Sequence, residues 1–382
     1  MFPARAAWNL ALATDLTAPP AMGGHLGFFP LSEGRLAAYN LEHGTLLWVV
    51  PAPTALEPAI GDALVFVVES SALVALRQET GATAWRIPFD EPLSAPPVWD
   101  NGWLIAVTAS GSTLAFRASD GALIWRRDIQ GGVRARPSLA ADRVYLPAAG
   151  GRVIALAVDT GAVVWERRIG GEANEILPYE DRLYVGSTDN YLYSILAGTG
   201  EIAWRWSTGG DVIGRPDVDA RSVYFVSFDN VLRALNRRSG VQRWKRVLPF
   251  RPTRGPVRTG DAVIVSGLSR QVLAFAVKDG NPAGDVQGAA GELAAPPFLA
   301  SDTAVPTLLL VTRDFAEGTI VRALTRTYEP SAAGLNGPLP NPTPVPRPPG
   351  AAAETSASPP TTTASPTTAP PARRERSPKT EP

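Results

Sequence analysis

Seven tryptophans recur in one local context along this chain: Trp8, Trp48, Trp85, Trp125, Trp165, Trp204 and Trp244, spaced 37 to 40 residues apart. Six have a glycine four residues earlier, at Gly44, Gly81, Gly121, Gly161, Gly200 and Gly240. A degenerate copy follows at Gly280, where Gly284 stands in the tryptophan's place. A proline marker runs in phase: Pro20, Pro58, Pro97, Pro137, Pro178, Pro216, Pro256 and Pro297 each fall 10 to 13 residues after the tryptophan position. Such a period means one supersecondary unit per repeat, each burying its apolar face against its neighbours.

Each unit reads as strands. In the fourth, short runs open at Arg136, Arg143, Arg152 and Ala162, filled by β-branched and aromatic residues. Asp159-Thr160-Gly161 reads as the tight turn between the third and fourth runs. No window shows convincing helical periodicity. Four short strands per 40 residues predict an all-β fold, an eight-bladed β-propeller over residues 5–328. After Pro297 only two further strands follow, around residues 308–312 and 319–324. The missing fourth strand is Ala6-Ala7-Trp8-Asn9-Leu10, so the N-terminus is expected to complete the eighth blade and leave no open sheet edge. The repeated tryptophans and glycines are assigned packing and turn roles.

Residues 331–382 are Pro/Ala/Ser/Thr-rich, have no aromatic residue and end in a short basic cluster. That segment cannot bury enough apolar surface to fold and is expected to be disordered. The chain has no cysteine, two histidines, and 36 basic against 36 acidic residues. This excludes disulfides, thiolate chemistry and a histidine-rich metal site, and argues against nucleic acid or an anionic membrane as a bulk electrostatic partner. His25 reads as part of a first-blade strand and His43 as part of a turn.

The unit Ala155-Leu-Ala-Val-Asp-Thr-Gly-Ala-Val-Val-Trp165 resembles the repeat of PQQ-type (quinoprotein-like) propellers, as do Ala75–Trp85 and Ala115–Trp125. The resemblance implies that the tryptophans dock neighbouring blades. It also implies either of two kinds of relative. One is the quinoprotein dehydrogenases, which hold PQQ and Ca²⁺ over the axis. The other is non-catalytic, and includes an eight-bladed outer-membrane assembly lipoprotein close to this chain in size.

The dehydrogenase reading lacks support in the residues. The blades are minimal, and no acidic cluster matches a Ca²⁺ ligand set of six to eight oxygens. Asp189-Asn190 and Asp229-Asn230 occupy equivalent turns and read as turn formers. No catalytic, cofactor or metal residue is assigned, and PQQ and Ca²⁺ enter by resemblance only. The favoured reading is a non-catalytic protein-interaction scaffold of the cell envelope, acting as a monomer without a transmembrane segment. A ligand-sensing propeller and a PQQ-dependent dehydrogenase are the alternatives.

Connections from fourth to first strands and from second to third strands share one face in this architecture. In blades one to three that face carries Glu33, Glu57, Glu69, Asp90 and Glu91, with Arg35 the only nearby base. Later loops carry Arg134, Arg136, Arg215, Arg251, Arg254 and Arg270, with Glu172, Glu175 and Asp211 among them. Arg134, Arg136, Arg215, Arg251 and Arg254 are the candidate contacts for an acidic protein partner. The first twelve residues do not read as a secretion signal, being committed to the closing strand. A periplasmic or envelope location therefore expects an export segment upstream of Met1; without one the chain is cytoplasmic.

Overall fold

A computed structural model describes residues 2–269, 271–286, 292–300, 305–314 and 318–326. The proline-rich segment 331–382 and Arg270 lie outside the described residues. Seven four-stranded antiparallel sheets follow one another along the chain, from Ala21–Gly23 in blade 1 to Pro282–Val286 in blade 7, and an eighth sheet joins the two ends. There is no helix among the described residues. In blade 8, Phe298–Ala300, Thr307–Asp314 and Gly318–Arg326 supply the first three strands, and Ala4–Ala11 pairs antiparallel with the last of them as the fourth. The N-terminal closure expected from the missing strand is therefore present. It leaves the outermost edge of each blade free, however: each fourth strand is hydrogen-bonded on its inner side only.

The tryptophan repeat is an inter-blade clamp. Each ring lies over the glycine of the next blade's turn, so that a Cβ at Gly161 would stand 2.6 Å from Trp125 and one at Gly200 2.6 Å from Trp165. These turn glycines adopt positive φ, 65° at Gly161 and 73° at Gly200, a region costly for residues with a Cβ. Each indole Nε1 donates to a carbonyl of that same turn, from Trp48 to Gln78 at 2.8 Å, through Trp125 to Val158 at 2.7 Å, to Trp244 and Val277 at 3.1 Å. Ala38, Ala75, Ala115, Ala155, Ala234 and Ala323 stand directly across the ladder from a tryptophan, as does Ser194, because only a small residue leaves room there.

Where the clamp is missing, its partner is missing too. Gly284 faces the junction at which the third and fourth strands of blade 8 come from opposite chain ends, so no turn glycine exists for a tryptophan to cover. Phe2 fills the space, buried, with a Cβ at Gly284 only 2.9 Å from its ring. A second latch was not legible in the repeat. Arg127, Arg167 and Arg246, two residues after their tryptophans, donate Nε to the next blade's turn-glycine carbonyls at Gly161, Gly200 and Gly280, at 2.9, 2.5 and 2.6 Å.

Two sequence assignments are corrected. His25 lies in the turn between the first two strands of blade 1, because those strands stop at Gly23 and resume at Leu26; His43 lies in a turn, as expected. Pro178 is out of phase: pairing of Leu177 with Tyr184 places Ile176 where the other blades have the proline. One residue fewer precedes the inner strand there, so the proline moves two places along it.

Asp100, on the inner strand of blade 3, draws no hydrogen bond from the described residues, and burial pushes its carboxyl up to about 6. The neutral form is therefore favoured more in the fold than in the unfolded chain. Stability falls as pH rises from about 4 to about 6 and is level above that. We expect Asp100→Asn to raise stability by about 1–2 kcal/mol at pH 7, the full shift being discounted for partial exposure, and to have no effect near pH 3. Urea melts at the two pH values check this.

Candidate functional site

The inner strands ring the axis, and just before each begins the chain bends toward the shared loop face, called here the top. Strand pairing places Pro19, Glu57, Pro96, Arg136, Glu175, Arg215, Gly255 and Pro296 at one equivalent position, immediately before the marker residue. Four blades thus send a charged side chain toward the mouth of the channel, alternating acid and base in chain order. The bend follows from a break in the first strand. In four of the eight blades a single bridge four residues before the proline holds the chain to the second strand, as in Val133–Ala148 and Pro252–Gly267, and the ladder resumes beyond the proline.

Arg136 reaches across two blades. Its Nη1 meets Glu57 Oε1 at 2.8 Å and its Nη2 donates to the Pro97 carbonyl at 3.3 Å. Arg254 donates to the Ala294 carbonyl of blade 8 at 3.2 Å. Both side chains thus serve the ring itself. Arg134, Arg215 and Arg251 are exposed, and none has a carboxylate within ion-pair distance among the described residues. Arg251 stacks its guanidinium over the Phe228 ring at 4.2 Å, a contact that keeps the charge accessible.

Arg215 is the most confined of the three. Although solvent reaches its side chain, the protein packed around it pulls its pKa down from the ordinary value, Glu175 and Asp217 hold it up, and Arg136 opposes it. Beside it, burial pushes the Asp217 carboxyl up even though the backbone N–H groups of Val218 and Arg258 donate to it, each at 2.6 Å. The Arg258 bond crosses from blade 6 to blade 7. The same two blades meet backbone to backbone: a Cβ on Gly255 would lie 2.0 Å from the Arg215 carbonyl oxygen. No other residue fits at 255, and this fixes where Arg215 leaves the ring.

The acids expected on blades 1 to 3 are largely engaged. Glu33 pairs with Arg35 at 2.8 Å, Glu69 with Arg86 at 2.5 Å, and Glu91 with the Ser110 N–H at 3.3 Å and Arg126 at 3.9 Å. Arg35 is therefore not the only base there. Arg86 and Arg126 reach the loops from outer strands, a juxtaposition that sequence spacing does not reveal. Glu172 caps the Gly150 N–H at 3.0 Å. Among the described residues Arg134, Arg215 and Arg251 remain without an ion pair on the top face, as do the carboxylates of Asp90, Glu172, Glu175 and Asp211.

The Asp-Asn turns are structural. Asn190 and Asn230 take positive φ. Asp189 accepts from the Tyr193 hydroxyl and the Tyr191 N–H. Burial alone would raise the Asp229 carboxyl, but Arg233, the Ser227 hydroxyl and the Gly209 N–H together bring it down to about 2. No group of three or more acidic or histidine side chains able to hold a metal ion gathers among the described residues. Of the axial carboxylates, Glu57 is neutralised by Arg136, Glu175 faces Arg215, and Asp217 is committed to backbone donors. That donor set does not suit a hard divalent cation, and no step through Ca²⁺ or a quinone is derived from it.

The comparisons with known proteins agree with this geometry. The family model described as "Outer membrane protein assembly factor BamB" matches residues 32–178 and 177–305. BamB from Moraxella catarrhalis superposes with a TM-score of 0.68 at 21% identity, over 84% of this chain and 99% of that one. Quinohemoprotein alcohol dehydrogenases share the fold as well: that from Comamonas testosteroni aligns with a TM-score of 0.68 at 11% identity, over 87% of this chain and 78% of that one. The enzyme from Pseudomonas putida HK5 gives 0.66 at 14%, over 89% and 78%. A search of curated protein sequences finds no match. The chain belongs to the PQQ-type propeller family of the outer membrane protein assembly factor BamB.

Proposed function

We propose that this propeller is a non-catalytic scaffold of the cell envelope that docks an acidic protein partner on its top face during outer-membrane protein assembly. The observation that carries the reading is the set of guanidinium groups at Arg134, Arg215 and Arg251. They stand around one mouth with no carboxylate within ion-pair distance among the described residues, Glu175 and Asp217 acting on Arg215 only from farther away, on a face where Glu33, Glu57, Glu69 and Glu91 are already paired with arginines. Arginines gathered on one surface favour carboxylates in bidentate geometry. Membership of the BamB family supports the envelope location and the protein partner. Minimal blades suit the role: a rigid disc needs no insertions to present its loops.

The test is photo-crosslinking in cells. A benzoyl-phenylalanine at position 134 or 251 is expected to give a discrete adduct, whereas one at Arg143 or Arg238, on the opposite face, gives none. Reversing the two open charges, Arg134→Glu and Arg251→Glu, should weaken co-purification of that adduct's protein at least about tenfold without changing the fold, since exposed charges add little to stability. Equal adducts from both faces would refute the reading.

A further inference from the structure

On the face opposite the top, two neighbouring blade junctions differ. Between blades 5 and 6 the space beside the clamp is filled. The Arg237 guanidinium lies over the Tyr179 ring at 4.9 Å and donates Nη2 to Glu180 Oε2 at 2.6 Å. The Arg237 carbonyl accepts the Trp204 indole N–H at 3.2 Å and the Tyr184 hydroxyl at 3.0 Å. Between blades 4 and 5 the counterpart of Arg237 is Ala197, whose carbonyl accepts from Trp165 at 2.8 Å, and Gly198 follows it where Arg238 follows Arg237. The counterparts of Tyr179 and Glu180 are Ala140 and Ala141, since Ala140 pairs with Arg143 as Tyr179 pairs with Arg182. Four large side chains are thus replaced by three alanines and a glycine, and an open cavity of about 170 Å³ stands in their place.

A buried polar group faces that cavity without a partner. Tyr145, which lines it, is only 3% exposed. It packs on Trp165 as Tyr184 packs on Trp204 and Tyr224 on Trp244, with ring centroids 6.1, 6.1 and 5.8 Å apart. Tyr184 spends its hydroxyl on the Arg237 carbonyl and Tyr224 on Asp219, at 2.7 Å. Tyr145 makes no hydrogen bond among the described residues, and burial pushes its hydroxyl up to about 12, so it stays neutral. A buried hydroxyl left unpaired is costly. Glu180 lines the cavity too; its Oε2 holds Arg237, while its Oε1 accepts from no described residue. The lining charges are completed by Asp142 and Arg143, which pair with each other.

We infer that the cavity between blades 4 and 5 binds a small planar organic cation, an aromatic amidine or guanidine. Such a solute brings the two pieces that Tyr179 and Arg237 supply at the next junction, a ring and a flat cationic head. Its N–H donors suit the Glu180 carboxylate and the Tyr145 oxygen, and charge-assisted bonds of that kind are the strong ones. Its ring suits walls made of Ala140, Ala141, Ala197 and Gly198. An anion is a poorer occupant, because Arg143 is already taken by Asp142 and Glu180 would repel it. The inference does not rest on the scaffold reading, which concerns the other face.

The probe is benzamidine, titrated against the ¹⁵N-labelled full chain and followed by NMR. Saturable shifts are expected at the amides of Ala141 and Gly198, and none at Gly102 or Gly260 in the matching turns of blades 3 and 7. Benzamide, its neutral isostere, should bind at least about tenfold more weakly. Tyr145→Phe keeps the ring and removes only the unpaired hydroxyl, so it should leave the melting temperature nearly unchanged and weaken benzamidine at least about threefold. Ala197→Arg places in the cavity the side chain that fills the next junction, and should abolish the shifts. No saturable shift at Ala141 and Gly198, equal binding of benzamide, undiminished binding by either variant, or a discrete protein adduct from benzoyl-phenylalanine at position 143 would each overturn the proposal.

Discussion

Removing residues 1–12 is expected to leave a chain that no longer folds as a monodisperse monomer. The deletion takes away the whole fourth strand of blade 8, whose ladder runs from the Ala4–Arg326 pair to Ala11–Ile320. It also removes both ends of the closing clamp. Trp8 covers Gly44 of blade 1 and donates Nε1 to the Glu42 carbonyl at 3.0 Å, while Phe2 fills the gap at Gly284 against blade 7. Losing one large aromatic from a packed site costs about 3–5 kcal/mol, and two are lost together with a strand. The apolar faces of Leu309, Val311, Val321 and Ala323 would then stand beside an unpaired edge. Size-exclusion chromatography and a thermal melt read the outcome. A truncated chain that elutes and melts like the full one would show that the ring does not depend on this closure.

Trp125→Ala is the second large effect. The ring is 8% exposed, seats over Gly161 and donates to Val158. Its loss opens a cavity between blades 3 and 4 and leaves a turn carbonyl unpaired, together about 3–5 kcal/mol. Leu123→Ala, two residues earlier on the same strand but 54% exposed, should change stability by less than about 0.5 kcal/mol. Denaturant midpoints of the two variants separate the clamp from a general effect of the outer strand.

Much of the fold could be read from the sequence because the repeat encodes contacts with a fixed partner. A tryptophan and a glycine recur together because one lies on the other. The closing strand was legible for the same reason: Trp8 has its covering site at Gly44. The proline marker proved less secure. It reflects a bend before the inner strand, and in blade 5 Ile176 serves at that bend once the loop is a residue shorter. Phe2 was not legible, since it belongs to no repeat and acts only where the repeat fails.

The top face was legible as a set of loops but not as a pattern of charge. Local spacing identified the arginines. Which of them are free depends on contacts between blades, such as Arg136 with Glu57, 79 residues apart, and on contacts across a blade, such as Arg86 reaching Glu69 from the outer strand. No sequence period carries those pairings.

The central claim is that this propeller supports outer-membrane protein assembly through its top face. The most direct measurement is the abundance of β-barrel proteins in outer membranes from cells lacking the chain, complemented with the wild-type protein or with the Arg134→Glu, Arg251→Glu variant. The account predicts depleted barrel proteins without the chain, restoration by the wild type, and no restoration by the variant at equal cellular levels. Unchanged barrel abundance in cells lacking the chain, or full restoration by the variant, would contradict it.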